Sequence, residues 1–61
     1  MGAQVTCVYH AYERGELVAT GRLTLDGVPE VGDELPLNGR THVVREVAYG
    51  SDLPVLMLEP R

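Results

Sequence analysis

Two alternating segments meet at a glycine in residues 5–25, which read VTCVYHAYERGELVATGRLTL. Apolar and polar side chains alternate on both sides of Gly15, as in two strands that each bury one face. A three-residue loop at residues 13–15, with Gly15 in the left-handed conformation, brings the two apolar faces together. A two-residue loop would mix apolar and polar faces, so we predict the longer loop. The predicted pairs are Ala11 with Leu17, Tyr9 with Ala19, Cys7 with Gly21, and Val5 with Leu23.

Three further strands follow this hairpin, and no segment has the apolar spacing of a helix. Asn38-Gly39 is the strongest short hairpin signal in the chain, because a type I′ turn needs positive φ at both central positions. Pro36 has no amide hydrogen to donate, so its strand is predicted at an edge of the sheet. The predicted strands are residues 4–12, 16–25, 34–37, 40–49 and 55–59.

The fourth strand breaks strict alternation, because two charged residues separate Val44 from Val47. A β-bulge at Arg45-Glu46 would let both valines share the inner face and would bend the strand, which a small barrel requires. Residues 50–54 are predicted to be a short connector with one 3₁₀ turn. The last strand is apolar on both faces, with Leu56 and Leu58 on one and Val55 and Met57 on the other, which suggests that one face binds a partner.

The order of these elements resembles that of the SH3-like small barrels. The resemblance is one of layout, carried by residues 31–35, the Asn38-Gly39 turn and the bulged strand at residues 44–47. It implies a five-stranded, SH3-like antiparallel barrel formed by residues 1–61 as one all-β domain. An OB-like barrel is the alternative, although no helix is predicted between the third and fourth strands.

The length and composition of the chain limit how it can be stabilised. A chain of 61 residues buries only about 60% of its unfolded surface, and this one has a single cysteine, so no intramolecular disulfide can form. Association with another subunit is the remaining common remedy. All five basic residues are arginine, and Lys, Ile, Phe and Trp are missing, a composition typical of a high-GC bacterium or phage.

Charge and hydropathy also exclude classes of partner. No segment approaches the roughly 20 apolar residues of a membrane span, and residues 1–3 lack the pattern of a signal peptide, so we expect a cytoplasmic protein without a membrane partner. The net charge of −4 argues against nucleic acid. The alternative function is nevertheless a nucleic-acid-binding barrel, with Tyr9, Tyr12 or Tyr49 stacking on bases. Its phosphate contacts would be Arg14, Arg22, Arg40 and Arg45.

No pattern in the chain predicts an enzyme. Cys7 and His10 are three residues apart on one strand and point to opposite faces, so they cannot act as nucleophile and base. His10 and His42, expected at the surface or the rim, lack a third ligand at recognisable spacing. We expect no catalytic residue, cofactor or metal. A calcium loop is also not predicted at the acidic residues Glu30, Asp33 and Glu34, which lack the required alternation.

The sequence predicts apolar side chains on the outer faces of the strands. The first hairpin should place Val8 and Val18 near each other on its outer face, and the last strand is a candidate edge. We therefore expect a non-enzymatic small β-barrel that acts as a protein-interaction module and self-associates, most simply as a dimer, or binds another protein. The predicted interaction residues are Val8, Val18, Val43, Val55 and Met57.

Overall fold

The computed structural model describes residues 3–50 and 52–61, which form one sheet of five strands. The sheet curls into a half-barrel, open between its two edge strands, which do not contact each other. Within the described residues there is no helix. The spatial order is β2-β1-β5-β4-β3. The strands are β1 (Val5–Glu13), β2 (Glu16–Leu25), β3 (Glu34–Leu37), β4 (Arg40–Ala48) and β5 (Val55–Pro60).

The all-β, five-stranded prediction is confirmed, and the sheet differs from a fully antiparallel one in a single pair. β5 inserts between β1 and β4, running antiparallel to β4 and parallel to β1. Because β4 leads into β5 through a short connector, the direction of β5 is set by β4. Its orientation relative to β1 follows from that.

The first hairpin turns through two residues, so the predicted three-residue loop is wrong. Arg14 (φ 55°) and Gly15 (φ 80°) both lie in the left-handed region, and Glu13 pairs with Glu16. The mixing of faces that this turn would cause is corrected by a bulge, with Val18 as the extra residue in β2. Beyond the bulge the inner faces match as predicted, but Leu17 lies before it and is 52% exposed.

The bulge also shifts the partners along the hairpin. Gly21 lies opposite Tyr9, whereas Cys7 pairs with Leu23. The aromatic ring of Tyr9 occupies the space that a side chain at position 21 would need, since a Cβ there would lie 2.7 Å from Tyr9 Cε2. A larger residue at this position would therefore have to displace the Tyr9 ring.

The second hairpin agrees with its sequence signals. Asn38 (φ 54°) and Gly39 (φ 76°) form the two-residue turn, and Pro36 lies on the edge strand β3. The predicted bulge in β4 is also present: the register shifts between Val44 and Glu46. Val44 and Val47 consequently face the two inner leucines of β5.

Two irregular segments connect the strands. The loop at residues 26–33 docks on β4, where Gly32 N–H donates to Val44 C=O and Val44 N–H donates to Asp33 C=O, both at 2.8 Å. In the second connector, Asp52 and Leu53 form a bend, and Gly50 and Pro54 have no regular structure, so the predicted 3₁₀ turn is not seen. Ser51, which belonged to that prediction, lies outside the described residues.

The core lies on the inner face of the three central strands and of the edge strand β3. Half-buried side chains surround it, among them Val5, Tyr9 and Leu23. A core this small leaves the fold short of apolar burial, as the chain length predicts. Its buried apolar members are Cys7, Ala11, Leu37, Val44, Leu56 and Leu58.

Candidate interaction surface

Three of the predicted interaction residues come together on the outer face of the central strands. Val8 of β1 pairs with Val55 of β5, and Met57 follows one row along, beside His10. Val8 and Val55 also line a shallow cleft of about 640 Å³ with Arg22, Asp52 and Leu53. All three predicted residues are half-buried by their neighbours. The outer apolar surface at the centre of the sheet is therefore partly covered within one chain.

The other two predicted residues lie elsewhere. Val43 is on β4, where it pairs with Glu59 on one side and Glu34 on the other, so carboxylates flank it. Val18 is the bulge residue of β2 and is 58% exposed. Val8 lies opposite Arg22, two residues further along β2 than the predicted register allowed. The expected proximity of Val8 and Val18 is therefore wrong, because the bulge and the shorter turn move β2 along β1.

The strand predicted as a candidate edge is the central one. β5 forms a ladder with β4 along its whole length and with β1 at residues 55–58, so most of its backbone is not free to pair with a partner. A strand with both faces apolar in the sequence is thus explained by its position, since neighbours on both sides help to cover its outer side chains. The edges of the sheet are β2 and β3.

The long edge strand β2 is the feature that the sequence analysis missed. It has ten residues and no proline, and the apolar side chains of Leu17 and Val18 near its turn are more than half exposed. The adjacent Leu17-Val18 pair, which interrupts strict alternation in β2, could have indicated the bulge in this strand but not its place at the edge. A break of this kind, like the Val43-Val44 pair of β4, marks a bulged strand.

The hydrogen-bonding groups at this edge follow from one bond in the neighbouring strand. Val8 N–H donates to Pro54 C=O at 2.8 Å, toward β5 and away from β2. Because the N–H and C=O of a strand residue point to the same side, Val8 and its partner Arg22 form a non-hydrogen-bonded pair. The backbone groups of Arg22 therefore point outward, and by alternation those of Thr20 and Thr24 do too. All three residues are exposed.

A second, charged cleft lies where the two hairpin turns meet the end of β5. Its volume is about 370 Å³. Of the residues predicted for nucleic-acid binding, Arg14, Arg40 and Tyr12 line it, whereas Arg22 lies in the cleft beside Val8. The remaining lining residues are Glu13, Glu59, Pro60 and Arg61.

Glutamates neutralise most of the arginines around this cleft. Arg40 lies 3.5 Å from Glu13, and Arg45 donates from Nε to Glu59 at 2.9 Å. A third pair joins Arg61 to Glu34 at 3.3 Å. These pairs are exposed, and such pairs contribute about 0–1 kcal/mol each. Within residues 3–50 and 52–61, Arg14 and Arg22 form no ion pair.

The groups considered for catalysis and metal binding are separated in the structure. Cys7 is fully buried on the inner face, where burial raises the pKa of its thiol, and His10 lies on the outer face. His42 is buried, contrary to expectation, and its Nδ1 lies 3.1 Å from Arg40 C=O. Asp33 accepts a hydrogen bond from Glu30 N–H at 2.9 Å, which closes the turn between them.

The described residues contain neither a cluster of metal-ligating side chains nor a helix that could span a membrane. No group of three or more His, Cys, Asp or Glu side chains is arranged to hold a metal ion. Nor does this part of the chain contain a helix long and apolar enough to cross a membrane.

Comparison with protein-family models, with curated proteins and with solved structures gives no match to this chain.

Proposed function

We propose that this protein is a non-enzymatic protein-interaction module that self-associates through the edge of β2. The observation that carries the proposal is a ten-residue edge strand whose outward N–H and C=O groups are exposed to solvent. A row of unpaired backbone groups is a template for pairing with another strand. The proposed binding surface is thus the edge of β2 instead of the last strand or the outer face of the first hairpin, the two sites that the sequence suggested.

The composition of β2 supports this assignment. Soluble proteins protect an edge strand by making it short or by giving it charged side chains, proline or a strong bulge. β3 follows this practice, with four residues that include Pro36. β2 has no proline, its regular residues 19–25 contain one charged side chain, Arg22, and its one bulge lies near the turn. A strand of this kind is typical of one that is covered in the assembled state.

A second copy of the chain is the partner that we propose, because its binding would also stabilise the folded state. The core of one chain is small, and association stabilises only the folded state. A two-fold contact between identical β2 edges closes on itself as a dimer. Pairing of β2 with β3 of another copy would instead continue as a filament, and Pro36 and the shortness of β3 oppose it.

The test compares two substitutions of exposed valines. Val18→Lys places a charge on the β2 edge, whereas Val31→Lys, in the loop at residues 26–33, places it at a residue of similar exposure off that edge. We expect wild type and Val31→Lys to sediment as dimers at about 100 μM, with melting temperatures that rise with concentration. Val18→Lys should weaken the dimer about tenfold, equivalent to about 1.4 kcal/mol.

Two results would contradict the proposal. One is a wild-type monomer at about 100 μM with a concentration-independent melting temperature. The other is a dimer that both lysine variants weaken equally, since a contact specific to β2 would not depend on position 31.

Nucleic-acid binding is the second candidate, because three of the five basic residues line the charged cleft together with Tyr12. Glu13 and Glu59 line the same cleft, and the chain as a whole carries a charge of −4. We therefore expect no binding to single- or double-stranded DNA or RNA tighter than about 10⁻⁴–10⁻⁶ M at physiological salt. Fluorescence anisotropy that shows sub-micromolar, steeply salt-dependent binding, lost in Arg14→Ala, would favour this candidate instead.

A further inference from the structure

We infer that the two β2 strands pair antiparallel with Gly21 on the two-fold axis, so that Thr20 lies opposite Arg22 of the second copy. This inference rests on the proposed self-association and specifies its register. It follows from which backbone groups point outward, from the charge of Arg22, and from the sizes of the inner side chains.

The outward-facing groups allow only a few registers. In an antiparallel pair, an outward-facing residue must lie opposite another outward-facing residue if both are to exchange hydrogen bonds. For Thr20, Arg22 and Thr24 this leaves five two-fold arrangements. They place on the axis a pair of Thr20, Gly21, Arg22, Leu23 or Thr24 residues.

Charge and packing separate these arrangements. A pair of Arg22 residues on the axis puts like charges directly opposite each other, which is destabilising. A pair of Thr20 residues places Arg22 opposite the bulge residue Val18 of the second copy, and a pair of Thr24 residues places it opposite Asp26, beyond the end of β2. With Gly21 or Leu23 on the axis, Arg22 lies opposite a threonine, and the regular residues 19–23 or 21–25 pair with themselves.

The inner face favours Gly21 on the axis over Leu23. Gly21 on the axis sets Ala19 opposite Leu23 of the second copy, a small residue against a large one, twice in the dimer. Leu23 on the axis instead sets two leucines directly opposite each other. It also brings Leu25 to Gly21, where the Tyr9 ring already fills the space. On the axis itself, the two glycines meet where the Tyr9 ring of each chain covers its own Gly21. The result is a continuous ten-stranded sheet with the two β2 strands at its centre.

Disulfide trapping with single-cysteine variants tests the register. Directly opposed residues in a hydrogen-bonded pair have Cα atoms about 5.5 Å apart, within the range of a disulfide. Thr20→Cys, Arg22→Cys and Thr24→Cys all replace exposed residues, so the fold should persist. Wild type is the control, because its own Cys7 is buried.

Each register gives a different cross-link under mild oxidation, identified by the mass of the intact dimer. A mixture of Thr20→Cys with Arg22→Cys should give the heterodimer at least tenfold faster than Thr20→Cys alone gives a homodimer. A mixture of Thr20→Cys with Thr24→Cys keeps every arginine and reports the arrangement with Arg22 on the axis. A mixture of Arg22→Cys with Thr24→Cys reports the arrangement with Leu23 on the axis. Both mixtures should form little heterodimer.

The outcomes separate this inference from the function on which it rests. A dominant Thr20→Cys homodimer, or a dominant heterodimer with Thr24→Cys, would overturn the register and leave pairing at β2 intact. A dimer in sedimentation that cross-links in none of the mixtures would overturn the placement at β2. A monomer in sedimentation would overturn the proposed function itself.

Discussion

The two hairpins use the same turn and leave the sheet with two different edges. Arg14-Gly15 and Asn38-Gly39 both place two consecutive residues in the left-handed region. The second hairpin ends in a four-residue edge strand with a proline, whereas the first ends in a ten-residue edge without one. Identical turn geometry therefore does not decide how a strand behaves at the surface; the length and composition of the strand do.

The largest effect should come from removing glycine at either turn. Gly15→Val and Gly39→Val force a β-branched residue to positive φ, and each should destabilise the protein by about 1–3 kcal/mol in chemical denaturation. Gly27→Val is the matched control, because Gly27 has open space around it and is not in the left-handed region. A loss below about 0.5 kcal/mol at either turn would show that the two hairpins are not held by the same strained geometry.

An exchange of the first turn residues should have a smaller effect. Asparagine enters the left-handed region readily and arginine does not, so Arg14→Asn should stabilise the protein and Asn38→Arg should destabilise it, each by about 0.5–1 kcal/mol. Arg14→Gln removes the same charge without easing the backbone, and we expect no gain from it. Equal stability of Arg14→Asn and Arg14→Gln would trace any effect to charge.

The smallest effect is a pH dependence located in the first hairpin. Burial raises the pKa of Cys7 in the folded protein, whereas an unfolded thiol titrates near about 8.5. The unfolded state therefore loses its proton first, so stability should fall as the pH rises above about 8.5 toward the folded pKa. Denaturation of wild type and Cys7→Ala between pH 7 and 9.5 measures the difference, and parallel pH profiles would contradict it.

The sequence predicted the faces of the strands better than their partners. Alternation depends on burial alone, so the inner placement of Cys7, Val44 and Val47 could be predicted from the chain. The bulge in β4 was predictable for the same reason, because two charged residues interrupt an apolar face. At Asn38-Gly39 the side chains themselves specify the turn.

The register of the first hairpin could not be predicted in this way. A three-residue loop, and a two-residue turn followed by a bulge, place nearly the same residues inside, and only Leu17 distinguishes them. The fit of Tyr9 over Gly21 depends on this register and is a matter of packing in three dimensions. Alternation contains no information about such contacts.

Only part of the candidate surface could be predicted from the sequence, because the burial of its side chains depends on which strands lie beside them. Val8, Val55 and Met57 do lie together on the outer face, but their burial depends on neighbours that only the topology supplies. The central position of β5 results from a parallel pairing with β1 that no local pattern indicates. The edge at β2 was missed because an edge is defined by the absence of a neighbour.

The insertion of β5 between the hairpins has a consequence for how the chain assembles. β5 is the last of the five strands to be synthesised, and within the described residues it is the only strand that joins β1 to β4. Until it emerges, the chain holds two separate hairpins, and an isolated hairpin is at best marginally stable in water. The parallel pairing of Val8 with Val55 closes a long loop, which slows folding. Docking of β5 should therefore be the step that commits the chain to its fold.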